Sequence, residues 1–173
     1  VGGLSALLLL GAVDQISRSP YVTRESIPRD QPVPFSHKHH VGGVGLDCRY
    51  CHTSVEESGF AGIPTVHTCM SCHSQLFSEV PMLDPVRTAF REDSGIEWVR
   101  VHDLPDFVYF NHSAHLTAGI GCVSCHGRVD RMEVVRQDKP LNMAWCLECH
   151  RAPEKHLRPL EEVYNMEFDA ADY

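Results

Sequence analysis

Four times in 173 residues a Cys-x-x-Cys pair is followed at once by His, and no other feature leaves the chain so little freedom. The sites are Cys48-Arg-Tyr-Cys51-His52, Cys69-Met-Ser-Cys72-His73, Cys122-Val-Ser-Cys125-His126 and Cys146-Leu-Glu-Cys149-His150. Residues three apart share one face of a helical turn, so both thiols can reach one edge of a single flat ring. The next residue then lies beneath the centre of that ring. This is the attachment signature of c-type haem: two thioethers to the vinyl groups and a proximal imidazole on the iron. It assigns all eight Cys to covalent attachment and His52, His73, His126 and His150 to the proximal positions of four haems c.

Zinc sites and thioredoxin-like redox pairs also use Cys-x-x-Cys, but neither requires a His after each pair. With 12 His among 173 residues, four such placements arise by chance on the order of once in 40,000 tries, which leaves the haem reading in front. With every Cys so used, none remains for a structural disulfide or an iron-sulfur cluster. The composition agrees. Aromatic residues are 8% of the chain, too few for a large aromatic core, so stacked porphyrin rings must form much of the interior. The formal charge of −8, from 23 acids against 15 bases, excludes a nucleic-acid partner, which would need a basic stripe.

The pattern ahead of the first site returns ahead of the third. Phe35-Ser-His37-Lys-His39-His40 precedes Cys48, and Phe110-Asn-His112-Ser-Ala-His115 precedes Cys122. The offsets are 75 residues for Phe35 to Phe110, 74 for Cys48 to Cys122 and 77 for Cys69 to Cys146, so a two-haem unit is duplicated. His at i and i+3 lie one helical turn apart on one face and can serve two neighbouring irons. His37, His40, His112 and His115 are therefore the expected distal ligands, their pairing with particular irons left open. His102, Met143 and Met166 form a second rank of distal candidates. His39, His67 and His156 read as ordinary polar side chains, and Met70 and Met82 as core filler.

Residues 1–13, VGGLSALLLLGAV, are uncharged and apolar at the centre but too short for a bilayer, which needs about 20 residues. They read as the exit half of a membrane anchor, in preference to a signal-peptide core or a short buried helix. Pro20, Pro28, Pro32 and Pro34 then mark a tether with no helix and nothing to bury. The expected division is a partial anchor at 1–16, the tether at 17–34, a first two-haem unit at 35–76, an inter-repeat segment at 77–109, a second unit at 110–156 and an acidic tail at 157–173. Helical turns are expected at each Cys-x-x-Cys-His and at both His pairs, with one short helix near 86–91 and at most one strand, at 96–101. The fold class is mostly α and irregular: short helices and loops wrapped around stacked haems, in two repeated two-haem units, with one N-terminal membrane helix.

F-x-H-x-x-H followed by CxxCH resembles the class III multihaem cytochromes c. The longer strings FSHKHH, CRYCH, FAGIP, VHDLPDFVYFNHSAH and CVSCHGRVD are more closely similar to the multihaem cytochrome subunit of alternative complex III, over residues 31–168. The resemblance implies a membrane-anchored electron-transfer subunit of a quinol:electron acceptor oxidoreductase, on the periplasmic side of the inner membrane. Its implied partners are an iron-sulfur subunit, a polytopic membrane subunit, a monohaem cytochrome c and, through the N-terminal helix, membrane lipid. That family commonly has five haem sites against four here, so a fifth haem is expected only if the chain continues.

Three functions fit a multihaem chain. The leading one is electron transfer from a quinol-oxidising complex to a downstream cytochrome or cupredoxin, in respiration or photosynthesis, by irons closed on both faces. A catalytic reductase of a small oxyanion such as nitrite would need an iron with an open distal face, and eight His outside the motifs for four irons argue against one. A freely diffusing carrier is disfavoured by the apolar N-terminus. Quinol chemistry itself belongs to a polytopic partner, because one membrane segment offers no intramembrane acid or base.

Overall fold

The computed structural model describes residues 2–169 and 171; Val1, Ala170, Asp172 and Tyr173, at the ends of the expected anchor and tail, lie outside the described residues. Eight α-helical segments follow in order: α1 (Gly2–Arg18), α2 (Pro20–Thr23), α3 (Cys48–Cys51), α4 (Val66–His73), α5 (Asp84–Arg91), α6 (His112–Thr117), α7 (Cys122–His126) and α8 (Met143–Arg151). A π-helical turn, Lys38–Gly43, carries His40, with His37 at its N-cap. The expected helical turns are all present, and α5 covers the short helix expected near 86–91.

α1 runs past Asp14, where the apolar stretch ends, because the Arg18 guanidinium reaches back one turn to the Asp14 carboxylate at 3.0 Å. Leu4, Leu7, Leu8, Leu9 and Leu10 each stand about two-thirds exposed. The 17 residues of α1 make about 26 Å of helix, against roughly 30 Å of hydrocarbon. Among the described residues no helix is long and apolar enough to cross a membrane.

The segment after α1 departs from the free, helix-less tether expected of it. Pro20 opens α2 at its first position, where a missing N–H costs nothing. Gln137, a buried polar side chain, donates from Nε2 to the Thr23 carbonyl at 3.0 Å, and its own carbonyl accepts from the Ser26 N–H at 2.7 Å. Val33 is buried as well. Gln31 lies along residues 96–101, accepting from the Val99 N–H and donating to the Val99 carbonyl, both at 2.9 Å. That segment is extended but forms no strand. One side chain supplies the rung a neighbouring strand would have supplied, and the one bridge among the described residues is the isolated pair Ile120 and Leu157.

The protein core is thin. Its buried apolar side chains are Val33, Val55, Val66, Val86, Ala89, Ile120, Met132 and Val163. Three of them come from the packing of α5 on α4. The accessible surface is 11701 Å², whereas a folded monomer of 19.4 kDa exposes roughly 8,500 Å². Phe60, Phe77, Phe107 and Tyr109 are all more than 60% exposed. The chain is thus a shell of short helices whose apolar inner faces have no protein to meet.

The acidic tail does not trail free. Glu167 receives both Arg128, at 3.1 Å, and Arg131, at 2.5 Å, and Arg128 also pairs with the mostly buried Asp130 at 2.6 Å. These guanidinium groups and their hydrogen bonds hold the carboxyls of Asp130 and Glu167 below the usual range. The tail is thereby fastened to the loop that follows the third Cys-x-x-Cys-His site.

Candidate functional site

Each Cys-x-x-Cys-His sits on a turn of helix, and the first and fourth begin at a side-chain cap. Asp47 caps α3 by accepting from the Arg49 N–H at 2.8 Å, and Asn142 caps α8 by accepting from the Trp145 N–H at 3.0 Å. Asn111 caps the distal helix α6 in the same manner, accepting from Ala114. The Asn142 cap is worth about 1 kcal/mol, so Asn142→Ala should lower the melting temperature of the haem-loaded protein by about 2–4 °C in a calorimetric scan. An unmoved melting temperature would mean that α8 is held by its haem alone.

Across from each proximal His stands one distal candidate. His52 faces His37 with ring centres 6.5 Å apart and planes 7° from parallel; His126 faces His112 at 6.4 Å and 9°. His73 faces His40 at 6.1 Å and 68°, and His150 faces His115 at 6.0 Å and 63°. A metal–imidazole bond is about 2 Å long and the ring centre lies about 1 Å behind the nitrogen, so two imidazoles on one metal have centres about 6 Å apart. All four pairs meet that spacing. Among the described residues no group of three or more His, Cys, Asp or Glu converges as an isolated metal ion would require. The residues therefore fit four haem irons, each between two imidazoles with a Cys pair beside it, better than they fit zinc.

Hydrogen bonds orient the rings. The Nδ1–H groups of His52, His73, His40, His112 and His115 donate to the carbonyls of Gly62, Leu76, Ser36, Gly59 and Asn111, at 2.7 to 3.0 Å. A carbonyl can only accept, so the proton sits on Nδ1 and Nε2 is left with its lone pair for a metal. Burial first, and then neighbouring imidazoles, lower His37 to about 4 and His126 to about 3, keeping both neutral and able to ligate.

The leading Phe of each F-x-H-x-x-H has a role that the repeat hinted at without explaining. Phe35 stacks on His40 at 4.4 Å and meets His37 edge-on at 4.9 Å; Phe110 stacks on His115 at 4.5 Å and meets His112 edge-on at 4.8 Å. One ring thus braces two imidazoles at nearly a right angle to each other, which is how a single turn serves two differently tilted partners.

The two units exchange support. The His112 N–H and Ser113 N–H donate to the carbonyls of Gly59 and Ser58, in the loop behind His52, while the Lys38 N–H donates to the Met132 carbonyl, in the loop behind His126. A methyl group on Gly59 would lie 3.3 Å from the Phe110 carbonyl oxygen, and one on Gly42 3.1 Å from that of Asp130, so both crossings run close to backbone. The first and third sites consequently meet at the centre. The second site stands beside the first, where the Tyr50 and Ser71 hydroxyls are 2.9 Å apart, and the fourth beside the third, since His115, which faces His150, is one helical turn from His112.

The second-rank candidates face none of the proximal rings. Met143 is exposed at the start of α8, and Met166 lines an open cleft with Lys155, His156 and Arg158. His102 lies beside His126, not across from it: its Nε2 is 3.2 Å from His126 Nδ1, with ring centres 4.4 Å apart. His67 packs on Phe90, and His39 lies edge-on to His40.

Comparison with known proteins points the same way. The model of the class III cytochrome c family matches residues 13–94. The multihaem cytochrome c subunit of menaquinone reductase from Nitratidesulfovibrio vulgaris is 31% identical, the match covering 75% of this chain and 71% of that protein.

Proposed function

The chain belongs to the class III multihaem cytochrome c family, and from that premise we propose that it is the electron-transfer subunit of a quinone-linked membrane oxidoreductase. The four facing His pairs carry the reading: His37 with His52, His40 with His73, His112 with His126, and His115 with His150 would each hold one iron and would close it to substrate. Haem c supplies the one-electron couple when bound. The chain's residues hold the rings in place, exclude substrate from the irons and keep neighbouring centres close. With haem bound at each site, electrons would pass along the order second, first, third, fourth, and the second and fourth sites would be the terminals through which partners connect. The haem sites stand on the periplasmic face of the inner membrane, with the apolar face of α1 against lipid or a polytopic subunit, and the net charge of −8 favours a basic or neutral redox partner.

In this reading electrons are drawn from quinol, as in the alternative complex III resemblance, and leave for a cytochrome or cupredoxin. The relative's name gives the opposite direction, electrons entering menaquinone. The His-paired sites serve either direction, and the partner decides. A redox titration of the purified membrane complex, following the haem α band and low-temperature EPR with haem counted per chain, tests the assignment. Four low-spin haems, reduced by a quinol analogue and indifferent to cyanide and nitrite, are expected. A high-spin haem that binds those anions would overturn it in favour of an oxyanion reductase. Haems that quinol leaves oxidised, but that reduce a quinone when pre-reduced, would reverse the direction.

A further inference from the structure

We propose that His102 is a positioning residue of the third site, the hydrogen-bond acceptor that fixes the His126 imidazole and sets the potential there. The proposal rests on His126 being an iron ligand. His126 is distinguished among the imidazoles by what meets its Nδ1. At His52 and His73, as at three of the distal rings, a backbone carbonyl takes that proton. At His126 the partner is a side chain, His102 Nε2, at 3.2 Å and with the two rings at 74°.

The local chain explains the exception. Gly127 follows at φ +60 and ψ −159, and the Asp138 carboxylate packs where its β-carbon would be, so the backbone turns away. The acceptor must then come from elsewhere, and the inter-repeat segment delivers it. That segment is held by Gln31 on both sides of Val99, by Arg29 on the Arg100 carbonyl at 2.6 Å, and by the Arg100 side chain on the His102 carbonyl at 3.2 Å. The ordered stretch around Arg29 and Gln31 thus has a purpose at a site more than ninety residues away. The duplication breaks here: at the offset of 75 residues the segment ahead of the first unit has Ile27 where the segment ahead of the second has His102.

An imidazole nitrogen is a stronger base than a peptide carbonyl. Accepting from His126 Nδ1–H, it increases electron donation from Nε2, favours the oxidised iron and lowers that potential relative to the first site, which has the same near-parallel ring pair. The two central sites are thereby made unequal, and the duplicated chain acquires a direction.

The test uses the purified haem-loaded protein and two variants, His102→Leu, which removes the acceptor, and His102→Gln, whose amide oxygen restores one. Removal of such a partner weakens metal binding about tenfold; falling wholly on the oxidised iron, that factor at 59 mV per decade for one electron raises one potential of the four by up to about 60 mV. One low-spin EPR signal should move with it, four haems per chain should remain, and His102→Gln should recover most of the shift. If the Leu variant loads fewer haems, the haems it retains are compared with those of the Gln variant, and one potential alone should be higher in the Leu variant. Conversion of one haem to high spin would show that His102 is an axial ligand and overturn the proposal. Four unchanged potentials, or four that shift together, would overturn it too. A wild-type protein lacking four low-spin haems would sink the ligand assignment itself, a different result from either.

Discussion

With all eight Cys changed to Ser, the chain should lose the fold altogether, giving a disordered far-UV circular dichroism spectrum and no cooperative thermal transition. A domain of this size ordinarily buries about 70% of the surface of its unfolded chain, and each ordered residue costs about 1–2 kcal/mol of backbone entropy. Here the buried apolar set is five Val, one Ala, one Ile and one Met, and Phe60, Phe77, Phe107 and Tyr109 remain exposed. No such set offsets the entropy of 173 residues. The covalently held rings must supply the missing apolar contact, and they also tie α3 to the Lys38–Gly43 turn and α7 to α6. Pairwise loss should be graded. Cys146→Ser with Cys149→Ser empties the outer fourth site and should leave a folded three-haem protein, whereas Cys122→Ser with Cys125→Ser empties a central site and should unfold both halves. A cooperative transition in the chain without Cys would refute this account of the core.

What could be read in the sequence was what depends on spacing alone. Cys at i and i+3 followed by His fixes a helical turn and a ligand set whatever surrounds them, and the 75-residue offset between Phe35 and Phe110 marks the duplication. Spacing also puts His37 and His40 on one turn, but cannot say which iron each meets. That depends on the loops behind the other unit's proximal His, where Gly59 and Asp130 sit against the crossing chain. The reciprocal exchange is long-range backbone pairing, and it leaves no local pattern. Closeness in sequence to the second His pair makes His102 a ligand candidate but does not say which atom it meets, which is His126 Nδ1 at 3.2 Å. Residues 96–101 looked like a strand because they are apolar and extended, yet their partner is the side chain of Gln31. The Pro residues of 20–34 signalled a break in helix, which is correct after Thr23, but Pro says nothing about whether an extended segment is bound, and Gln137 binds this one.

Removing a distal imidazole should open one iron and no other, and the ring geometry says which signal disappears. The ferric low-spin EPR spectrum depends on the angle between the two axial imidazole planes, so the near-parallel pairs at the first and third sites should form one class and the pairs at 63° and 68° another. His112→Ala should delete half of the near-parallel class and His115→Ala half of the tilted class, although the two residues are one helical turn apart. In each variant about a quarter of the haem becomes high-spin and binds cyanide, one iron in four, with a raised potential because the oxidised iron has lost a donor. Catalysis of oxyanion reduction need not follow, since an open iron without neighbouring acid–base groups lacks the remainder of a reductase site. The paired experiment is sharper than either half. If both variants remove the same class of signal, or if either leaves four low-spin haems, the pairing of His112 with His126 and of His115 with His150 is wrong, and with it the order in which electrons cross from one unit to the other.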